Sequence, residues 1–329
     1  MGKFLAKRLS LCLLILVLAT FAVYLLMYFL PTSYVEKMAR EASVRPGNLE
    51  SYEVILQRMN AAYGLDQGPL TGYIVWAKNA VVGNFGDSWV HTMPVVEQFK
   101  QVVWYSFIMG IVAFVIQTAI AIPLGVRAAV KQYSMTDYTV TVFTLIGISM
   151  PTFFVATLFK LIFALKLGWF DVSGSIGKTY HLLDGWGQFL DMAQHLVLPM
   201  LTLIVIGIGS LMRYTRTNML EVLNSDYIRT ARAKGLPEKK VISYHAFRNT
   251  LIPLVTVLGG SLPGLFAGAL ITETLFSLDG IGRVSYEAMV GGDIPFTMFY
   301  LAFMSILTLL GTLISDILYA VVDPRVRVN

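Results

Sequence analysis

Apolar residues run in long, nearly unbroken blocks along this chain, separated by shorter polar stretches. A helix needs about 20 consecutive apolar residues to cross a hydrocarbon core of roughly 30 Å. Six blocks meet that length: residues 9–30, 102–126, 138–165, 195–212, 250–272 and 298–322. The pattern predicts an all-α membrane protein with six transmembrane helices. It divides the chain into a first segment with its span (1–30), a polar segment (31–101) and a core with five further spans (102–329). Lys3, Lys7 and Arg8 precede the first block as they would in a secretory signal, but a signal's apolar region runs about 7–15 residues to a small-residue cleavage site. Leu9–Leu30 is longer and closes on Pro31-Thr32, so it reads as a retained anchor.

Two polar stretches carry helical patterning of their own. In 31–101, periodicity predicts helices over Leu49–Tyr63, ended by Gly64, and over Tyr73–Val82, ended by Gly83. These form an expected small, partly helical cap on the outer face. In Arg213–Asn249, a helix is predicted over Asn218–Lys234 with Gly235 as its C-terminal cap. Pro237 then suits the first turn of a second helix running toward Asn249. Two helices on a basic stem suit docking on a soluble partner.

Composition agrees with a bilayer as solvent: 56% of residues are hydrophobic, 14% are charged, and mean hydropathy is +0.67. Charge fixes the expected orientation, because Lys and Arg favour short cytoplasmic loops. With the N-terminus inside, inner segments carry fifteen Lys/Arg, eight of them in 213–249, whereas the short outer loops carry only Lys166, Lys178 and Arg283. The 31–101 segment holds six basic and seven acidic residues and is exempt by length. Both termini are expected to be cytoplasmic. The net charge of +5 thus belongs to topology and to anionic lipid headgroups or partners; no recognised nucleic-acid-binding motif accompanies it.

Catalytic and metal chemistry find no foothold. Cys12 is the single cysteine, which excludes an intrachain disulfide and a thiolate metal site, and His91, His181, His195 and His245 show no ligand spacing. Asp191 and His195 are four apart and can share a helix face, where capping or solvation accounts for them. Val172–Thr179 resembles the end of a phosphate-binding loop, but Val172 stands where the pattern needs glycine, and the stretch is expected outside.

Breakers and polar residues within the spans leave two readings open. Pro123, Pro151 and Pro263 fit either movable kinks around a pore or static kinks stabilised by neighbours. Lys160 fits a cation snorkelling to the headgroups, and Asp316 a partner for an inner arginine or backbone cap. Gly260, Gly264 and Gly268, spaced by four, would line one helix face and permit close packing. With Pro263 among them, they are candidates for helix packing or the pore wall.

The inner loop carries a family resemblance. Asp226-Tyr227-Ile228-Arg229-Thr230-Ala231-Arg232-Ala233-Lys234-Gly235-Leu236, followed by His245-Ala246-Phe247-Arg248 and later Pro253, resembles the coupling loop of ABC importer permeases. That loop's general pattern is Glu-Ala-Ala, three residues, Gly, nine residues, Ile-x-Leu-Pro. Aligned on Gly235, this chain has Arg229-Thr230-Ala231 and His245–Arg248 at the two ends, the variant of the peptide-permease branch. Further blocks are similar to the B-type permease subunit of oligopeptide, dipeptide and nickel importers. They are Tyr63–Asp66, Gly83–Gly86 with Ser88 and Pro94-Val95, Glu273–Ser277 with Gly280–Gly282, Asp316–Tyr319 and Asp323–Arg325.

The resemblance implies a type I ABC importer architecture and no cofactor on this chain, with ATP and Mg held by partner subunits. Its implied partners are a homologous second permease, two ATPase subunits and an extracytoplasmic peptide-binding protein. Asp226, Tyr227 and Arg229–Leu236 are then expected to couple to the ATPases. Asp279, Gly280, Gly282 and Asp293, in the glycine-rich loop Ser277–Pro295, are expected to meet the binding protein together with the outer cap. An ion-coupled secondary transporter would need ionisable sites near span centres, and a channel would need a filter segment; neither is visible.

Overall fold

The computed structural model describes residues 2–29, 34–44, 50–62 and 65–322, with side chains described only from Ser10 and only as far as Ser315. Pro31-Thr32, the start of the first outer helix at Leu49, its end at Tyr63-Gly64, and Asp323–Arg325 lie outside the described residues. So do the side chains of Lys3, Lys7, Arg8, Asp316 and Tyr319.

The chain opens with α1 (Gly2–Tyr28), α2 (Tyr34–Ser43), α3 (Tyr52–Ala62) and α4 (Pro69–Val81). It continues with α5 (Val95–Val130), α6 (Met135–Ser149), α7 (Thr152–Phe159) and α8 (Gly185–Leu223). The inner loop holds α9 (Asp226–Ala233) and a short α10 (Glu238–Lys240). Then follow α11 (Phe247–Ser261), α12 (Gly264–Ala267), α13 (Leu270–Phe276), α14 (Ile281–Gly291) and α15 (Ile294–Val322). Among the described residues, strand pairing is confined to one isolated bridge between Asp87 and Pro94.

Among the described residues, five helices are long and apolar enough to cross a membrane, and α6 with α7 supplies a sixth crossing if the bent pair counts as one. α5 has 36 residues and α8 has 39; at about 1.5 Å per residue both outrun the hydrocarbon core, so their ends project beyond it. The single block expected at 138–165 is broken: α6 and α7 meet at 101°. The cause is local. Met150 precedes Pro151 and takes an extended conformation, φ −83° and ψ 125°, as the proline ring demands of its neighbour. By contrast Pro123 sits inside an uninterrupted α5.

The chain forms two compact units. One comprises Met1–Val103 with Val284–Leu309, the other Trp104–Arg283 with Leu310–Asn329. In the first, Val35, Ala39 and Ile55 join α2 to α3. α4 packs along α1: the Tyr73 hydroxyl lies 2.9 Å from Thr20 Oγ1 and donates to the Val17 carbonyl at 3.1 Å. Part of the expected outer cap therefore runs beside the first span.

In the second unit, Ala121, Ala128, Val140, Leu211, Met212 and Leu254 make a core among α5, α6, α8 and α11. Gly125 permits this approach, since a Cβ there would come within 2.7 Å of the Met212 carbonyl. Lys160 does not extend away from the protein: its ammonium donates to the Leu275 carbonyl at 2.7 Å, satisfying the C-terminal turn of α13.

The expected stripe of three glycines on one continuous helix does not form. Gly260 lies in α11, Gly264 opens α12 after the interruption at Leu262-Pro263, and Gly268 ends α12 with φ +75°. Pro263 removes a backbone donor, and Gly268 takes the left-handed conformation that ends the helix. Within this chain Gly260 and Gly264 face open space.

Candidate functional site

The inner loop is built as a small bracket. α8 stops at Leu223, Ser225 turns the chain, and Asp226 begins α9, where its charge suits the helix N-terminus. Ile228, Ala231 and Leu236 turn inward onto Ala129, Met219, Val241 and Ala246; full burial of one Ile side chain is worth about 1.5–3 kcal/mol. Of the residues expected at the docking surface, Ala231 is buried and Leu236 half-buried, and both pack beneath the helix. Asp226, Tyr227, Arg229, Thr230, Arg232, Ala233, Lys234 and Gly235 are exposed.

Several of the exposed groups are already engaged. Arg232 holds Glu238 through two hydrogen bonds of 3.2 and 2.7 Å, which keep that carboxyl below the usual carboxylate range. Arg229 lies 3.6 Å from Asp226, and Thr230 Oγ1 donates to the Asp226 carbonyl. Tyr227, Thr230 and Lys234 share the outer face at helical spacing. Gly235 has φ +72° and no heavy atom within 4 Å of where a Cβ would stand, so its requirement is conformational rather than spatial. Pro237 stands just before α10 rather than inside its first turn.

The bracket is tied to the spans by a contact that sequence reasoning missed. Arg216, in the C-terminal half of α8, grips Asp137 at the start of α6 in a bidentate pair of 2.6 and 2.8 Å. Asp137 is buried, and it also accepts from the Tyr133 amide at 2.9 Å. A partial signal existed: Ser134 followed three residues later by Asp137 marks a helix start, and Ser134 does cap α6.

The glycine-rich loop is organised around Glu273, which is fully buried. Its carboxylate accepts from Ser106 Oγ at 2.7 Å, the Ala269 amide at 2.9 Å and the Arg283 amide at 2.9 Å. Gly268, Gly280 and Gly282 converge on it: a Cβ at Gly280 would stand 2.5 Å from Glu273 Cδ and 2.6 Å from Ser106 Oγ. Gly280 and Gly282 are thus packing residues, not partner-facing ones. Asp279 stays exposed, with Ser175 Oγ donating to it at 3.1 Å.

Asp293 belongs to the first unit and has no exposed surface. It accepts from Ser88 Oγ at 2.5 Å and from the amides of Val90 and Phe296, both at 3.1 Å. It fastens the outer segment to the start of α15 and is not available for the contact expected of it.

The phosphate-loop lookalike is occupied by the protein itself. The Gly177 amide donates to Asp191 at 2.7 Å, and the Gly174 amide to the Phe276 carbonyl at 2.8 Å, so a carboxylate sits where an anion would. His195 is buried against Asp171 and Asp191. Among the described residues no group of three or more His, Cys, Asp or Glu is placed to hold a metal.

Comparison with known proteins joins these features. A solved chain of the MetNI methionine ABC transporter, in an inward-facing conformation, matches with a TM-score of 0.52 at 17% identity, over 69% of this chain and 97% of that one. The fold is therefore that of an ABC importer permease. A family model described as "Binding-protein-dependent transport system inner membrane component" matches residues 121–328, and the chain belongs to that family. The oligopeptide transport system permease protein AppB of Bacillus subtilis (strain 168) is 36% identical, covering 80% of this chain and 83% of that protein. The dipeptide transport system permease protein DppB of Escherichia coli (strain K12) is 34% identical, covering 99% of each. The di/tripeptide permease DppB of Pseudomonas aeruginosa (strain UCBPP-PA14) is likewise 34% identical, covering 99% of each. The chain is a multi-pass cell membrane protein and a transport subunit, not an enzyme.

Proposed function

We propose that this chain forms half of the translocation pore of an ATP-driven importer that brings short peptides into the cytoplasm. The observation that carries the reading is the identity with three peptide permeases, two of them matched along 99% of both chains. With both termini cytoplasmic, the α9 bracket faces the cytosol, where ATPase subunits holding ATP and Mg dock on Tyr227, Thr230 and Lys234. The Asp137–Arg216 pair and the buried cluster under α9 then pass ATPase closure to α5, α6 and α8. A homologous second permease completes the pore, and an extracytoplasmic binding protein delivers cargo to the outer segment and to the loop bearing Asp279.

The reading is tested by uptake of radiolabelled dipeptide and tripeptide into cells with and without the gene. Loss of peptide uptake on deletion, restored by the wild-type chain, is expected. Unchanged peptide uptake with loss of nickel uptake would reassign the cargo to a metal chelate.

A further inference from the structure

The second unit contains a cavity of about 320 Å³ bounded by α5, α8, the start of α7 and the interruptions between α11 and α13. Its wall is neutral, and small residues such as Gly110, Gly207, Gly264 and Gly268 make up much of it. Two polar side chains line it without a partner: the Gln117 carboxamide and the Thr152 hydroxyl make no hydrogen bond with any described residue. Gln117 lies well inside the apolar block 102–126, where an unsatisfied amide costs several kcal/mol in hydrocarbon. It lies across Gly207, where a Cβ would overlap its side chain, so that glycine is what leaves the carboxamide its place. The backbone around the cavity is broken at Pro151 and Pro263 and turns at Gly268. Irregular backbone at membrane depth is tolerated where it is buried in protein or lines a water-filled space.

We propose that this cavity is the chain's share of the cargo path and that Gln117 hydrogen-bonds the main chain of the passing peptide, an assignment that rests on the peptide-importer reading above. A carboxamide presents N–H donors and an acceptor oxygen, which match the amide and carbonyl that every peptide repeats whatever its side chains. The glycine wall leaves room for side chains of different size. Its lack of charge suits acidic and basic cargo alike, because a fixed charge in a low-dielectric wall would retain one sign and repel the other.

The test uses the whole importer in proteoliposomes, in a Cys12→Ser background, Cys12 being this chain's only native thiol, and labelling is read on this chain after the subunits are separated. Gln117→Leu keeps the bulk over Gly207, suits a membrane helix and removes the hydrogen bonds. Uptake of radiolabelled trialanine should fall about tenfold, the weight of one such bond, while ATP hydrolysis stimulated by the binding protein persists. A Gln117→Cys thiol should react with a water-soluble methanethiosulfonate reagent, and trialanine should slow that reaction. Uptake by Gln117→Leu at the wild-type rate with no protection of the thiol would overturn the proposal. So would joint loss of uptake and hydrolysis without protection, which would assign Gln117 to helix packing. A wild-type importer that moves no trialanine would overturn the peptide reading itself, and the wild-type control separates that failure from the others.

Discussion

At the scale of single residues, the informative positions are those whose backbone or charge has one use. Gly235 was legible in the sequence because a glycine after a helical stretch and before a proline has few other roles, and its φ of +72° bears this out. A β-branched residue there meets left-handed strain of about 1–2 kcal/mol, so Gly235→Val should leave the chain inserted yet separate ATP hydrolysis from uptake, with Gly235→Asn milder. Normal uptake in the valine variant would contradict this. Glu273 was legible only as part of a block, since its three donors come from positions as distant as Ser106 and Arg283. Each donor stranded in the interior costs about 1–3 kcal/mol. Glu273→Ala should therefore markedly lower the thermal unfolding temperature of the detergent-purified assembly, and an unchanged transition would contradict the buried-acceptor role. Asp293 was misread for the same reason: its place in a glycine-rich loop suggested exposure, whereas its partner Ser88 lies 205 residues away.

At the scale of elements, the pattern showed where helices lie but not which face each presents. One helix was expected over Asn218–Lys234, but the chain turns at Asn224-Ser225, where Ser225 takes an extended conformation and α9 starts afresh; only packing then separates exposed Tyr227 from buried Ala231. The two positions should therefore fail differently. Tyr227→Ala and Lys234→Glu should preserve stability and abolish coupled uptake, whereas Ala231→Leu should overpack the buried cluster at a cost of about 1–3 kcal/mol, seen as a lower unfolding temperature. Equal loss of stability in all three would contradict a docking face. Breaking the bidentate pair with Asp137→Asn leaves Arg216 with a weaker partner. The expected result is that ATP hydrolysis continues while uptake falls, and uptake at the wild-type level would remove the pair from the coupling route. A kink at Pro151 was legible from the proline, but apolar length is blind to its size: Met150 turns extended and the α6–α7 pair bends by 101°.

At the scale of the whole molecule, apolar blocks and basic loops reached a membrane protein of six spans, and the resemblance carried by the residues around Gly235 took the further step to the permease class, which the family match over 121–328 supports. What composition could not supply was the set of long-range polar contacts that join the spans, because each links residues far apart in sequence. The central claim is that this chain moves peptide only as part of an ATP-driven assembly. The most direct measurement loads the binding protein with radiolabelled peptide on one side of a proteoliposome membrane holding the complete importer, and supplies Mg-ATP on the other. The account predicts that peptide accumulates on the ATP side against its gradient and stops when the ATPase subunits or ATP are omitted. Accumulation by this chain alone, driven by a proton or sodium gradient without ATPase subunits, would contradict it.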